Sequence, residues 1–403
     1  MKSVVMIGGG VQEVPAVQRI QKLGYKVIVT DRNPDAPAFA DADVPLNIDA
    51  RDIQGLIAWI LLNKANLRIS GIFTLISQAP SVALVANATG LPSLPVKTVM
   101  CCDNKLLMKR QFKENEIPTA EFFEVSSLEE VRSCYRKFDN QNVYLKAPDG
   151  FGGRGIRKIT HIQELDGAYQ SILKTTKFPL LILEESLEGS FIDAQGIFYD
   201  GNFHRAGVAD SFFSDEMEEF KDYNPVEVFN VSPSQQSEEI INDVYLLLER
   251  VARDFGINWG PVAGDFILTD DGLKIIEIAP RLHGPNGTLQ IFPASIGIKP
   301  LEFMVQCIAG DEPEKDFLRP KLNKVALCKV FISNKENIRR IGFKADLRGI
   351  EGLFSWFIYN KPDEGRLRSM SNLSGLASVF VEGQNYEQAL GRLTSIEDLF
   401  EIN

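Results

Sequence analysis

The stretch Val262-Ala263-Gly264-Asp265-Phe266-Ile267-Leu268, followed by Asp270-Asp271-Gly272 and a second apolar run ending in Glu277-Ile278-Ala279-Pro280-Arg281, decides the reading of this chain. Two apolar runs flanking Asp-Asp-Gly read as a β-hairpin. Side chains alternate between the faces of a strand, so Glu277 and Arg281 project to the same side and offer an anion beside a cation. A three-residue loop with Gly272 in the left-handed conformation sets Asp265 directly opposite Glu277, whereas a two-residue loop puts them on opposite faces. Facing carboxylates repel unless something positive lies between them, and hard oxygen ligands beside a phosphate binder suit Mg²⁺. The plain alternative is two solvated charges on an edge hairpin.

A phosphate binder lies upstream. Val143-Tyr144-Leu145-Lys146-Ala147-Pro148 reads as a strand running into Asp149-Gly150-Phe151-Gly152-Gly153-Arg154-Gly155. Glycines let a loop close on an anion with its backbone N–H groups exposed; Arg154 adds charge, and Lys146 can reach phosphate oxygens as a point charge. A glycine-rich loop alone is common; the lysine before it and the carboxylate pair after it give it meaning.

The chain has 403 residues, 44% hydrophobic and 24% charged, which predicts a globular protein of two to four domains. No apolar run reaches the length of a membrane span, and the first strand begins without a charged leader and cleavage site, so a cytoplasmic protein is expected. The five cysteines lack metal-ligand spacing and are expected to be reduced and structural. A net charge of −11 argues against general binding to nucleic acid or anionic membrane.

Ser3 to Ile7, the turn Gly8-Gly9-Gly10, a helical pattern through Leu23 and Lys26 to Asp31 form a βαβ start. Glu13 stands where a dinucleotide fingerprint needs glycine, so the glycines read as a tight turn, with Asp31 ending the second strand. A helix from Ile53 to Asn63, a strand from Gly71 to Leu75 and a helix from Ser81 to Thr89 complete a small parallel α/β domain over residues 1–97. After the linker Leu91-Pro92-Ser93-Leu94-Pro95, Asp103 is available to cap a helix through Lys105 and Phe112, and Leu128 to Phe138 is helical. Leu180 to Leu183 forms a buried strand whose exit, Glu184-Glu185-Ser186-Leu187, can present backbone groups to an adenine edge. Ala194 to Phe198 and Phe203 to Ala209 are strands joined by Asp200-Gly201-Asn202; residues 211–236 read as an acidic, aromatic loop, and Glu238 to Phe255 as a core helix.

This order of elements resembles the ATP-grasp superfamily over nearly the whole chain. The similar branch is that of carboxylate-amine ligases, with phosphoribosylaminoimidazole carboxylase ATPase subunits, biotin carboxylase, carbamoyl-phosphate synthase modules and L-amino-acid ligases. The resemblance implies an α/β chain of three parts: an N-terminal parallel α/β domain (1–97), a two-lobed α+β ATP-grasp domain (98–310, with a mobile lid lobe near 119–186), and a small C-terminal α+β domain (311–403). It assigns Lys105 and Lys146 to the ATP phosphates, and Gly150, Gly152, Gly153, Arg154 and Gly155 to the loop over them. Glu184, Glu185 and Leu187 fall to the adenine pocket, Asp265 and Glu277 to Mg²⁺ (Mn²⁺ being the substitute), and Arg281 to the acyl phosphate. Ala377 to Gly383 and the amphipathic helix from Tyr386 are similar to the family's C-terminal domain.

Two positions depart from the family pattern. Ala279 replaces a frequent asparagine ligand, which weakens the case for two metals, and Phe191 replaces a glutamate that contacts ribose. The implied reaction is phosphorylation of a small-molecule carboxylate by Mg·ATP and attack by an amine; a homodimer is the family's expectation. Leu282-His283-Gly284-Pro285-Asn286-Gly287-Thr288 is the best substrate-loop candidate, with His283 able to orient the carboxylate or accept a proton, or simply to make a local hydrogen bond. His204 or Arg205, but not both, can face the same cleft, while His161 reads as surface. Phe212, Phe213 and Tyr223 can shield an apolar side chain or pack on the domain. The competing readings are a bicarbonate-phosphorylating carboxylase, an NAD-dependent oxidoreductase and a nucleotide-binding regulator without turnover.

Overall fold

A computed structural model of the chain describes residues 1–138, 142–150, 153, 155–217, 219–220, 225–335, 338–359 and 375–402. The chain opens with β1 (Ser3–Ile7), α1 (Val14–Lys22), β2 (Lys26–Thr30), β3 (Val44–Leu46), α2 (Ile53–Leu67), β4 (Ile69–Thr74) and α3 (Ala79–Thr89). The strands form a parallel sheet in the order β3-β2-β1-β4. Parallel strands covered on both faces read as unbroken apolar runs, and all five residues of β1 are buried. The short β3 was not legible in the sequence.

The glycine turn after β1 is closed from within. Gly8 N–H donates to the Thr30 carbonyl and Gly9 N–H to the Asp31 carboxylate at 2.9 Å, so Asp31 holds the turn as well as following β2. Glu13, 5% exposed, has its pKa pushed up to about 7 by burial, which outweighs hydrogen bonds from the Glu13 and Gly10 backbone N–H groups. A carboxyl group raised in the folded state stabilises the fold fully below its unfolded value near 4.5, and this contribution is lost as pH rises through about 7. Glu13→Gln should therefore raise stability at pH 8 by roughly 1–3 kcal/mol and leave it little changed at pH 4. Paired thermal melts at the two pH values check this.

Next come α4 (Val96–Asp103) and α5 (Lys105–Glu114). The cap of α5 is Asn104, whose side chain accepts from the N–H groups of Leu106 and Leu107, and not Asp103, which closes α4. Then β5 (Phe122–Val125), α6 (Leu128–Tyr135), β6 (Val143–Lys146), β7 (Ile156–Ile159), α7 (Leu165–Leu173) and β8 (Leu181–Glu185) build an antiparallel sheet in the order β5-β8-β6-β7. Val131, Tyr135, Leu145, Leu165 and Leu183 lie in its own core.

The rest of the chain comprises β9 (Ser190–Tyr199), β10 (Asn202–Phe213), β11 (Glu227–Ser232), α8 (Glu238–Asp254), β12 (Gly260–Thr269), β13 (Gly272–Ala279), α9 (Phe292–Ser295), α10 (Pro300–Ile308), β14 (Val325–Phe331), β15 (Ile341–Phe343), β16 (Leu353–Ile358), β17 (Ala377–Gly383), α11 (Tyr386–Glu397) and β18 (Phe400–Ile402). Eight of these strands make one antiparallel sheet, β13-β12-β9-β10-β11-β14-β17-β16, so the C-terminal strands extend the central sheet. The expected loop at 211–236 is corrected here: β10 continues to Phe213 and β11 returns beside it. Phe191, Phe212 and Phe213 pack on strand neighbours, Phe191 against Phe213 at 4.6 Å and Phe212 against Phe229 at 5.5 Å; Tyr223 lies outside the described residues.

The N-terminal sheet and central sheet share a core. Met6, Val17 and Phe73 pack with Leu289, Leu301 and Phe303. A Cβ on Gly71 would lie 2.7 Å from the Ile308 carbonyl oxygen, so this position of β4 needs glycine where α10 ends against it. Among the described residues no helix is long and apolar enough to cross a membrane, and all five cysteines are free.

Candidate active site

The hairpin β12–β13 sets three carboxylates in a row, by a different route from the one expected. Its loop holds two residues, Asp270 and Asp271, with Thr269 paired to Gly272 and Phe266 to Ile275. A bulge then skips Ile276, and this one-residue shift brings Glu277 opposite Asp265. Asp265 also pairs with Asp193 on β9, giving Asp193, Asp265 and Glu277 on three adjacent strands. β13 stops at Ala279, so strand alternation does not place Arg281; its N–H bonds back to the Ala279 carbonyl and its Nη1 donates to the Leu282 carbonyl at 2.9 Å. Burial raises the Asp265 pKa, a rise that the Arg281 charge only tempers, whereas Glu277 is held low against burial chiefly by Lys105, with Arg281 adding to it.

Lys105, at the start of α5, donates from Nζ to Glu277 Oε1 at 2.8 Å. Burial works against both charges, but each holds the other ionised: the lysine pKa is raised and the glutamate's lowered. Lys105 N–H also donates to the Pro148 carbonyl at 2.8 Å, which ties α5 to the segment entering the glycine loop. In that loop Ala147 N–H donates to the Gly155 carbonyl at 2.7 Å, and Gly153 and Gly155 adopt φ of +74° and +72°. Phe151, Gly152 and Arg154 lie outside the described residues.

Lys146, on β6, pairs with Glu184 at the end of β8, and Lys109 meets the second oxygen of the same carboxylate at 3.0 Å. Glu184 is 2% exposed; burial opposes its charge, yet the two lysines hold its pKa down to about 2. Burial pushes the Lys109 ammonium the other way, below the ordinary lysine value. The Glu184 carboxylate therefore faces the lysine pair. Glu185, at the end of β8, bonds Lys274 on β13 at 3.1 Å, and Leu187 is half-buried just beyond β8. Lys109 was missed, although one turn separates it from Lys105 on the same helix face.

His283 adjoins the carboxylate row. Its Nε2 lies 3.2 Å from the Ala194 carbonyl and 3.8 Å from Asp265 Oδ1, and burial lowers its pKa. Its backbone is fixed by the buried Gln195, whose Oε1 accepts from His283 N–H at 2.9 Å and from Thr288 Oγ1 at 3.1 Å. Residues Asn286–Ile291 form a π-helical turn, a rare form often found at functional sites. Neither His204 nor Arg205 joins the row: His204 packs on Phe303 at 5.1 Å, and Arg205 bonds Asn242 and stacks on Tyr245. His161 is exposed, as expected.

A half-open cavity of about 50 Å³ is lined by Phe73, Thr74, Leu94, Trp259, Pro280 and Arg281. Opposed carboxylates on a sheet, a lysine pair and a glycine loop tied to α5 thus lie together. Residues 110–291 match the family model for the ATP-grasp domain. Over that segment the chain is similar to the ATP-grasp domain. The N5-carboxyaminoimidazole ribonucleotide synthase of Staphylococcus epidermidis is 23% identical over 287 residues, 70% of either chain. Among solved structures, the L-amino acid ligase of Bacillus licheniformis aligns with a TM-score of 0.81 at 18% identity, over 100% of this chain and 98% of that one. The N5-carboxyaminoimidazole ribonucleotide synthetase of Thermotoga maritima aligns with a TM-score of 0.74 at 20% identity, over 100% and 99%. The two solved structures share the fold of this chain over its whole length.

Proposed function

We propose that this chain is an ATP-dependent carboxylate-amine ligase of the ATP-grasp type: Mg·ATP phosphorylates a substrate carboxylate, and an amine displaces phosphate to give an amide or dipeptide-like product. The observation that carries this reading is the Lys105–Glu277 ion pair facing Asp265, on the helix that also touches the glycine-loop strand.

Asp265 and Glu277 would hold Mg²⁺, and their opposed oxygens fit a hard cation. When bound, the ion would neutralise charge on the phosphates. Lys105 and Lys146 would bind the β- and γ-phosphates, Lys146 turning from Glu184 to the nucleotide. Gly150, Gly152, Gly153, Arg154 and Gly155 would close over them and exclude water, which otherwise hydrolyses an acyl phosphate. The Glu184-to-Leu187 segment would meet the adenine through its backbone. Arg281 would hold the phosphorylated carboxylate through paired N–H donors, which lysine cannot do in the same plane. His283 would orient the carboxylate or take the amine's proton. No enzyme nucleophile is needed; positioning and electrostatics supply the acceleration.

Hydroxylamine tests the acyl-phosphate step without knowledge of the natural amine. With Mg·ATP and the twenty L-amino acids as a carboxylate panel, a hydroxamate should form with one or a few members. ATP turnover that needs bicarbonate, with no hydroxamate from any carboxylate, would overturn the reading in favour of a carboxylase-type reaction. Lys146→Ala should weaken ATP binding by roughly 10-fold or more, the loss of a charge-assisted contact worth about 1.5–3 kcal/mol, as read by nucleotide titration calorimetry.

A further inference from the structure

We propose that the half-open cavity lined by Arg281 seats a carboxylic acid with a short branched apolar chain, Arg281 holding the carboxylate and the cavity taking the chain. The cavity, of about 50 Å³, lies where the N-terminal domain meets the central sheet: Phe73 and Ala79 come from β4 and α3, Leu94 from the linker, and Trp259, Pro280 and Arg281 from the ends of β12 and β13. Its walls are held from both sides. Trp259 packs against the core shared by the two sheets and against the core under the central sheet. Pro261 and Pro280 lock their own backbone where the walls turn.

The lining selects the ligand. Among the described residues that line the cavity, all but Thr74, Ser93 and Arg281 are apolar. Both hydroxyl protons are engaged: Thr74 Oγ1 donates to the Ile7 carbonyl at 2.9 Å, and Ser93 Oγ to the Leu94 carbonyl at 3.1 Å. Neither is left to serve a polar chain, whose hydrogen bonds to water would go unreplaced. Arg281 differs. The half-buried side chain makes one hydrogen bond, from Nη1 to the Leu282 carbonyl, and no carboxylate of the described residues lies within ion-pair distance of it. A guanidinium carries five N–H donors in a fork that matches a carboxylate in pairs, so the rest of this fork calls for an anion. A cation at the wall of an otherwise apolar cavity fits an anion with an apolar body.

Volume limits the chain. A dry apolar cavity of about 150 Å³ takes a benzene ring, so a third of that space admits roughly two to four carbons, the size of a valine or leucine side chain, with the open side left for the carboxylate. Bicarbonate has no chain and would leave the cavity unfilled. The part of the bound acid as phosphoryl acceptor rests on the proposed ligase function, whereas its binding is tested without turnover.

The test titrates the full chain, free of nucleotide, with acetate, propionate, isobutyrate and isovalerate, and reads binding by ligand-detected NMR. Affinity should rise about 4-fold for each added carbon that enters the cavity. Isovaleramide, the uncharged analogue, should bind about 10-fold more weakly than isovalerate, and Arg281→Gln should abolish that difference. Val82→Phe, which fills the cavity from α3, should flatten the rise and leave acetate binding unchanged. Equal affinities from acetate to isovalerate, or isovaleramide binding as tightly as isovalerate, would overturn the proposal; this wild-type series needs no variant to fold. Failure of the ligase reading is a separate result. A silent hydroxylamine assay with the rising series intact removes the ligase and leaves the cavity its ligand, whereas hydroxamate made from L-aspartate or L-lysine in preference to L-valine and L-leucine overturns the cavity's role and leaves the ligase.

Discussion

Glu277→Gln is expected to keep nucleotide binding and to lose Mg²⁺-dependent turnover by roughly 10²–10³-fold, the scale of removing one electrostatic contact made to developing charge. Glutamine preserves the shape of the side chain and its place on β13, so the fold is not the target of the change. The negative charge goes, and with it the partner of Lys105 and one of the two opposed oxygen ligands. Lys105 would then stand beside Asp265 alone. Turnover assayed across Mg²⁺ concentrations, with nucleotide affinity measured separately, separates the two effects. Unchanged activity would remove Glu277 from the metal assignment and leave the carboxylate row without its proposed purpose.

Glu184→Gln should be the most destabilising single substitution in the site, costing on the order of 3–5 kcal/mol, because it leaves two buried lysines without their shared anion. Lys109 is 4% and Lys146 is 9% exposed, so neither ammonium can recover its hydration without moving. Adding Lys109→Met to Glu184→Gln should restore part of the loss, since one uncompensated charge is removed with it. Urea unfolding of the single and double variants gives the comparison, and a single-variant loss under about 1 kcal/mol would contradict the picture of a charged triad. The wild type carries the matching acid signature. The depressed Glu184 pKa contributes stability above about 4.5, which is lost as pH falls through about 2.

These two residues also mark where the sequence could be read and where it could not. The hairpin, the glycine loop and the parallel start were legible because each rests on local chemistry: apolar runs around Asp-Asp-Gly, glycine spacing, and unbroken buried strands. The facing of Asp265 and Glu277 was anticipated from a three-residue loop, whereas the chain reaches it by skipping Ile276 after a two-residue loop. Nothing in an isoleucine pair within an apolar run signals a bulge. Asp193 depends on which strand lies beside β12, a pairing set by tertiary packing across the 71 residues between Asp193 and its partner Asp265. The Lys109–Glu184–Lys146 triad is similar: one helix and two strands meet there, and only the spacing of Lys105 and Lys109 was visible in advance. β11 was masked by the acidic, aromatic composition around it, although Val226-Glu227-Val228-Phe229-Asn230-Val231 carries the alternation of a strand.

The most direct test of the central claim is phosphate release by the full chain with Mg·ATP, across L-amino acids singly and in pairs, with bicarbonate as a separate arm. The account predicts release only when a particular carboxylate and a particular amine are both present, with one phosphate formed per amide. Release driven by bicarbonate alone, or nucleotide binding with no phosphate from any arm, would contradict it.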